Sequence, residues 1–242
     1  IIVDFVRIGH QRRVIHGLIK IDVTDARLKV REQNLSFTGF LIACVGIALG
    51  EYPEVHAMQN WSGDLITYHD VDISTLIETK VSGKNFPVAH VIRRANQRTV
   101  ADITQEIRDV QNQPQKSATL SYWKWLTRVF FRLPYILRLP FYKVMLLNPI
   151  RIQKVAGSAV LTSVGMFGDG GGWGIGAGIP LHNFSITIGG IGLEPRLMAG
   201  QLCEREYLHV TLSFNHDIVD GAPAARFGSR LKALVEACHG LE

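Results

Sequence analysis

Asn215-His216-Asp217-Ile218-Val219-Asp220-Gly221 is the stretch of this chain richest in chemistry. An alternating, strand-like run precedes the histidine and a helical pattern follows it, so the imidazole stands where a strand end meets a cleft. Neutral imidazole near pH 7 is a good general base. A carboxylate four residues on, Asp220, can fix the loop or pair with an arginine. Spacing alone fits equally well a strand-edge histidine before an Asp-Gly turn, with no chemistry.

Other groups are less specific. Gly170-Gly171-Gly172-Trp173-Gly174-Ile175-Gly176 lacks the Lys-Ser/Thr and the strand-to-helix change of a phosphate loop, and reads better as a turn beside an active site. The remaining histidines show no metal-ligand spacing, so no metal is expected. His209 shares a strand face with Thr211 and Ser213, a placement suited to lining a polar cleft. Cys44, Cys203 and Cys238 are odd in number and far apart, which argues against a disulfide framework or a zinc module and for a reducing compartment.

The elements that must position these groups follow from periodicity. His16 to Thr24 alternates as a half-buried strand. Ser36 caps a helix running through Phe37, Phe40, Leu41, Cys44, Val45, Ala48 and Leu49, apolar nearly all round and therefore deeply buried. Asp64 to Thr79 reads as strand, turn, strand, and Pro87 to Arg93 as a strand. Thr99-Val100-Ala101-Asp102 resembles a capping box opening a helix to about Val110. Gln111 to Ser121 reads as a loop, and Pro134 and Pro140 are expected to break Ser121 to Arg151 into short pieces. Strands follow at Ala159 to Val164, Phe184 to Ile191 and Tyr207 to Phe214, then a helix from Ala222 to Ala237.

In that order the motifs resemble a family. His216-x-x-x-Asp220-Gly221 is similar to the HxxxDG signature of the catalytic domain of dihydrolipoyl acyltransferases, the core subunits of 2-oxo acid dehydrogenase complexes. Lys20-Ile21-Asp22-Val23-Thr24 resembles the family's early strand. Leu35 to Leu49 with Tyr52-Pro53-Glu54-Val55 resembles its first core helix and the element after it. Val91-Ile92-Arg93 with Thr99-Val100 resembles its "VIR" stretch, and Thr162-Ser163-Val164-Gly165-Met166-Phe167-Gly168 its "SNLGMFG" turn.

The resemblance implies an α/β fold, the chloramphenicol acetyltransferase-like two-layer sandwich of mixed sheet and helices, as one domain over 1–242. It implies a CoA- or dihydrolipoyl-dependent acyltransferase in which His216 is the base and Thr162 supplies the hydroxyl to the oxyanion. Asp220 would hold the loop through an arginine, and Ser163, Gly165 and Gly221 would support the turns. Coenzyme A or a lipoyl group would be substrate. The family builds its site between subunits, which implies a homotrimer, a larger cage of trimers and dehydrogenase-complex partners. Four features depart from the pattern, one being His90 where the family has a proline before its Val-Ile-Arg. The family's Asp-His-Arg is Asn215-His216-Asp217 here, its helix-end Asn is His56, and no lipoyl domain lies in these residues. A hydrolase or C–C-cleaving enzyme using the same histidine, and a catalytically silent scaffold, therefore stay open.

The composition fits a globular body. Of 242 residues 47% are apolar and 19% charged, and the longest apolar run, Phe37 to Gly50, is too short to cross a bilayer. The net charge of +5 is local: six of the 26 Lys and Arg, and none of the 21 acids, fall in Ser121 to Arg151 among eight aromatic residues. Without that segment 20 basic residues face 21 acidic ones. Nucleic acid is thus not an expected partner. The insertion at about 113–155 reads as a subunit contact, a substrate lid, or, more weakly, a membrane-surface contact through 121–151. Cytoplasm is the expected location, or an organellar matrix for a processed chain.

Overall fold

The computed structural model describes residues 12–81, 84–113, 133–164, 170–176 and 181–242. The Gly165 turn with Met166, Phe167 and Gly168, and the first half of the aromatic, basic insertion, lie outside them.

A six-stranded mixed sheet organises the chain. Its strands are β1 (Val14–Asp22), β4 (Ile73–Val81), β5 (Lys84–Ile92), β6 (Ala159–Ser163), β7 (Phe184–Met198) and β8 (Gln201–Asn215), in the order β1-β8-β7-β6-β4-β5. β6 runs parallel to both neighbours and the other pairs are antiparallel. Two short strands, β2 (Met58–Gln59) and β3 (Leu65–Ile66), form a separate hairpin. The helices are α1 (Thr24–Glu32), α2 (Phe37–Glu51), α3 (Val100–Asn112), α4 (Tyr135–Leu146), α5 (Pro149–Ala156) and α6 (Gly221–Glu236).

Strand alternation divides the sheet into an apolar face and a polar face. Ile21, Leu161, Phe184, Ile186, Leu208, Leu212 and Phe214 point to the face covered by α2, α3 and α6. α2 has ten buried residues on all its sides, as its uniform apolarity requires. α6 inserts Phe227, wholly buried, edge-on against Phe184 at 5.0 Å. Truncating it to alanine would cost about 3–5 kcal/mol. Ser36 caps α2 by accepting from the Gly39 N–H, and Thr99 and Asp102 close a reciprocal capping box on α3.

Three elements differ from the sequence expectation. α1 carries only Ala26 and Val30 on its buried side, too sparse a stripe to signal a helix. β7 and β8 run on as a long two-stranded arm through Pro195, turning at Ala199-Gly200, both at positive φ. Pro140 lies inside α4 rather than ending a piece. It removes the donor for the Ile136 carbonyl, and Ile136 is 76% exposed, so water can serve that group.

Candidate active site

His216 is the first residue after β8. Its backbone N–H donates to the Arg13 carbonyl at 2.7 Å, while Ile218 and Val219 donate back to the Asn215 carbonyl in a tight turn. Its ring Nδ1–H donates to the Val219 carbonyl at 3.0 Å. A carbonyl can only accept, so this bond places the proton on Nδ1 and leaves Nε2 as a lone-pair base. The side chain is 45% exposed in the single chain.

Residues far away in sequence hold this turn. Asn215 is buried; its amide donates to Asn183 Oδ1 at 3.1 Å, and its Oδ1 accepts from the Asp217 N–H. The family's aspartate could not make that donation, so the exchange to asparagine fits a partner that is itself an acceptor here. Asn183 Oδ1 also accepts from Arg12 at 2.6 Å, and its amide donates to the Ala57 carbonyl. Burial lowers the Arg12 pKa and Asp217 raises it in part. Behind the turn Arg12, Asn183, Ser185, Ser213 and Asn215 line a cavity of about 30 Å³, room for a water molecule or two.

Both carboxylates beside His216 have defined places. Asp217 pairs with Arg13 at 2.8 Å, so its charge is matched next to the imidazole. Asp220 is the N-cap position of α6, with an 87% exposed side chain 4.0 Å from His216 Nδ1. Among the described residues it is not held by an arginine; that contact falls to Asp217, because Arg13 enters beside it ahead of β1. Gly221 opens α6 and a Cβ there would meet open space.

Thr162 lies on the polar face of β6, half-buried. It is in register with Thr187 of β7, which pairs with Thr211 of β8. The hydroxyls of Thr187 and Thr211 are buried without a hydrogen-bond partner among the described residues. Ser163, the next residue, points to the helix face, where it lines two clefts of about 610 and 470 Å³ flanking the start of α2. Thr162 and His216 do not meet within one chain. The register places His216 five residues beyond Thr211 and two strands from Thr162, roughly 20 Å away by strand geometry.

The glycine run at 170–176 crosses the polar face. Trp173 packs edge-on against His209 at 4.2 Å, and the Lys20 ammonium lies 5.9 Å from the indole centre. His209 is buried and donates from Nδ1 to the Gly190 carbonyl. It thus faces a covered polar layer. A Cβ on Gly189 would collide with the Gly172 carbonyl oxygen, so this crossing needs glycine.

Two motif residues take on clear roles. Burial pushes Asp22 up, but bonds from Arg205 and Thr24 outweigh it and hold the carboxyl below its usual range. Asp22 thereby ties the start of α1 to the β7–β8 arm. Arg93 bonds Asp72 and the Gln153 and Lys154 carbonyls, closing the C-terminal end of α5. Neither partnership was visible in the sequence, since no local spacing marks it. Among the described residues no group of His, Cys, Asp and Glu is arranged to hold a metal ion.

The family model for the 2-oxoacid dehydrogenase acyltransferase catalytic domain matches residues 16–121 and 150–241. The chain belongs to that family. The match includes His216, Asp220 and Thr162 and omits 122–149. Family members with similar sequence include the dihydrolipoyllysine-residue acetyltransferase component of the Rickettsia felis pyruvate dehydrogenase complex, 23% identical over 90% of this chain and 44% of that protein. The Bacillus subtilis lipoamide acyltransferase component of the branched-chain alpha-keto acid dehydrogenase complex is 24% identical over 89% and 42%. The chain therefore spans less than half the length of these relatives. In fold it is similar to a probable dihydrolipoamide acetyltransferase from Listeria monocytogenes, with TM-score 0.69 at 19% identity over 98% of this chain and 90% of that one. A chloramphenicol acetyltransferase superposes with TM-score 0.56 at 14% identity, covering 96% and 94%. The two-layer sandwich expected from the motifs is thus the fold of this family member.

Proposed function

We propose that the protein is an acyltransferase that moves an acyl group between coenzyme A and a dihydrolipoyl thiol, with His216 as general base. The observation that carries this reading is the His216 ring, tied through Nδ1 to the Val219 carbonyl with Nε2 left to accept a proton. Nε2 takes the proton of the incoming thiol, which titrates near 8.5 when free. The sulfur attacks the thioester carbonyl and a tetrahedral oxyanion forms. The Thr162 hydroxyl donates to that oxygen, as serine does in the family pattern, and its added methyl leaves the donor intact. Collapse breaks the original carbon–sulfur bond, and the departing sulfur recovers the proton from His216.

In this reading Thr162 comes from a neighbouring chain. The roughly 20 Å between Thr162 and His216 in one chain supports a site shared between copies. We place the protein in a homotrimer, with larger assembly and dehydrogenase-complex partners as in the relatives. One relative is named as part of a cubic pyruvate dehydrogenase core, in fold alone similar to this chain at TM-score 0.69 and 17% identity. The acyl group is a matter for assay, because similar relatives are named for acetyl, succinyl and branched-chain complexes.

The test is transfer from acetyl-, succinyl- and isobutyryl-CoA to dihydrolipoamide. The native chain is expected to turn over at least one donor, and His216→Ala to lose about 10²–10⁴ in rate with unchanged thermal unfolding. Full transfer by His216→Ala would refute the base assignment. Release of free acid without transfer would favour the hydrolase, and no turnover with any donor the silent scaffold.

A further inference from the structure

The family match breaks at 122–149, so the surface built there is this chain's own addition. Its described part, 133–149, forms α4, and α5 follows it where the match resumes at residue 150. α5 is anchored to the body. Ile152 joins a small cluster with Met58 and Tyr68, the Tyr68 hydroxyl donates to the Pro149 carbonyl, and Gln153 donates to the Asp70 carbonyl. The outward side is apolar: Ile136 (76% exposed), Leu137, Val144, Leu147, Ile150 and Val155 all reach solvent. Seldom does a soluble monomer leave so many large apolar side chains together without a partner. The same residues include Arg138, Lys143, Arg151 and Lys154 and no Asp or Glu. Arg151 and Lys154 lie exposed beside Ile150 and Val155.

We propose that α4 and α5 dock on an anionic lipid surface. An apolar face can enter the headgroup and acyl boundary while neighbouring Lys and Arg side chains meet lipid phosphates. Complete lack of acidic residues removes the repulsion that such a surface would otherwise impose. A second copy meeting the same patch by two-fold symmetry would set basic residues against basic residues. Contact is peripheral: at 12 residues α4 is too short to cross a bilayer, and among the described residues no single helix is long and apolar enough.

Vesicle co-sedimentation tests this independently of the acyltransferase reading. The whole chain is expected to sediment with vesicles of equal parts phosphatidylcholine and phosphatidylglycerol, to stay free with phosphatidylcholine alone, and to be released by high salt. Arg151→Glu with Lys154→Glu leaves the backbone bonds of α5 intact. It should weaken binding at least about thirtyfold, since each basic residue near the surface contributes about fivefold. Ile136→Asp with Val144→Asp should also abolish sedimentation, and thermal unfolding should match the native chain in both variants. No binding to anionic vesicles, or equal binding to neutral ones, would overturn the proposal. So would variants that change the mass of the assembly, or the Michaelis constant for the acyl donor, while the native chain ignores vesicles; those outcomes assign the surface to a subunit contact or a substrate lid.

Discussion

With Nδ1 committed to the Val219 carbonyl, the His216 ring has one tautomer and one basic nitrogen, so no reorganisation precedes proton transfer. Two other histidines are used quite differently. His56 is wholly buried, and its ring nitrogens meet no hydrogen-bond partner in good geometry among the described residues. Burial lowers its pKa to about 4. His182 is lowered to about 4 by burial as well, with Arg12 adding to the effect and the bond to the Ala156 carbonyl opposing it. In both, the folded state holds the neutral ring and the unfolded state takes the proton first. Stability should therefore be complete above about pH 6.5 and fall as pH drops towards 4, by on the order of 3 kcal/mol for each ring. Urea unfolding at pH 7 and pH 4.5 measures the loss, and His56→Asn should remove about half of the difference. A flat profile in the native chain would show that these rings are protonated without cost. At this scale His216 was legible because its chemistry depends on a short local motif. Arg12, Arg13 and Asn183 were not, because their partners lie tens to hundreds of residues away.

Elements read well where one face does one task. α2, α3 and α6 declare themselves by unbroken apolarity, a capping box and a stripe through Ala224, Phe227, Leu231 and Leu234. α1 and the outer β7–β8 arm did not, since polar partners rather than an apolar face hold them: Arg205 spans Asp22 and Asp25, and Arg27 meets Glu206 at 2.7 Å. The glycine crossing depends on two backbones in contact. Gly189→Ala should push the 170–176 segment off the polar face, at a cost of about 1–3 kcal/mol. Chemical unfolding and faster hydrogen exchange at Gly190, whose N–H donates to the Gly172 carbonyl, would report it. Unchanged exchange would mean that the segment shifts without letting go.

At the scale of the molecule the separation of Thr162 from His216 is the governing fact. If each site takes its base from one chain and its hydroxyl from the next, two inactive variants can rescue each other. His216→Ala and Thr162→Val, the latter expected to lose ~10²–10³ in rate, should regain about a quarter of native activity when unfolded and refolded together in equal amounts as trimers. Mixing without recovery would mean that each chain completes its own site. The net charge also belongs to this scale. The basic excess is confined to the segment 121–151, and the rest of the chain is close to neutral.

Motif order, strand alternation and helix caps determined the family, the sandwich and the histidine at the end of β8, because each rests on spacing between near neighbours. Tertiary structure alone decided that, among the described residues, Asp217 rather than Asp220 meets an arginine and that Thr162 and Ser163 serve opposite faces. It also decided that Thr162 lies two strands away from His216. Those outcomes depend on which distant segments the sheet brings side by side, and the strand register that does so is set by the packing of the whole core.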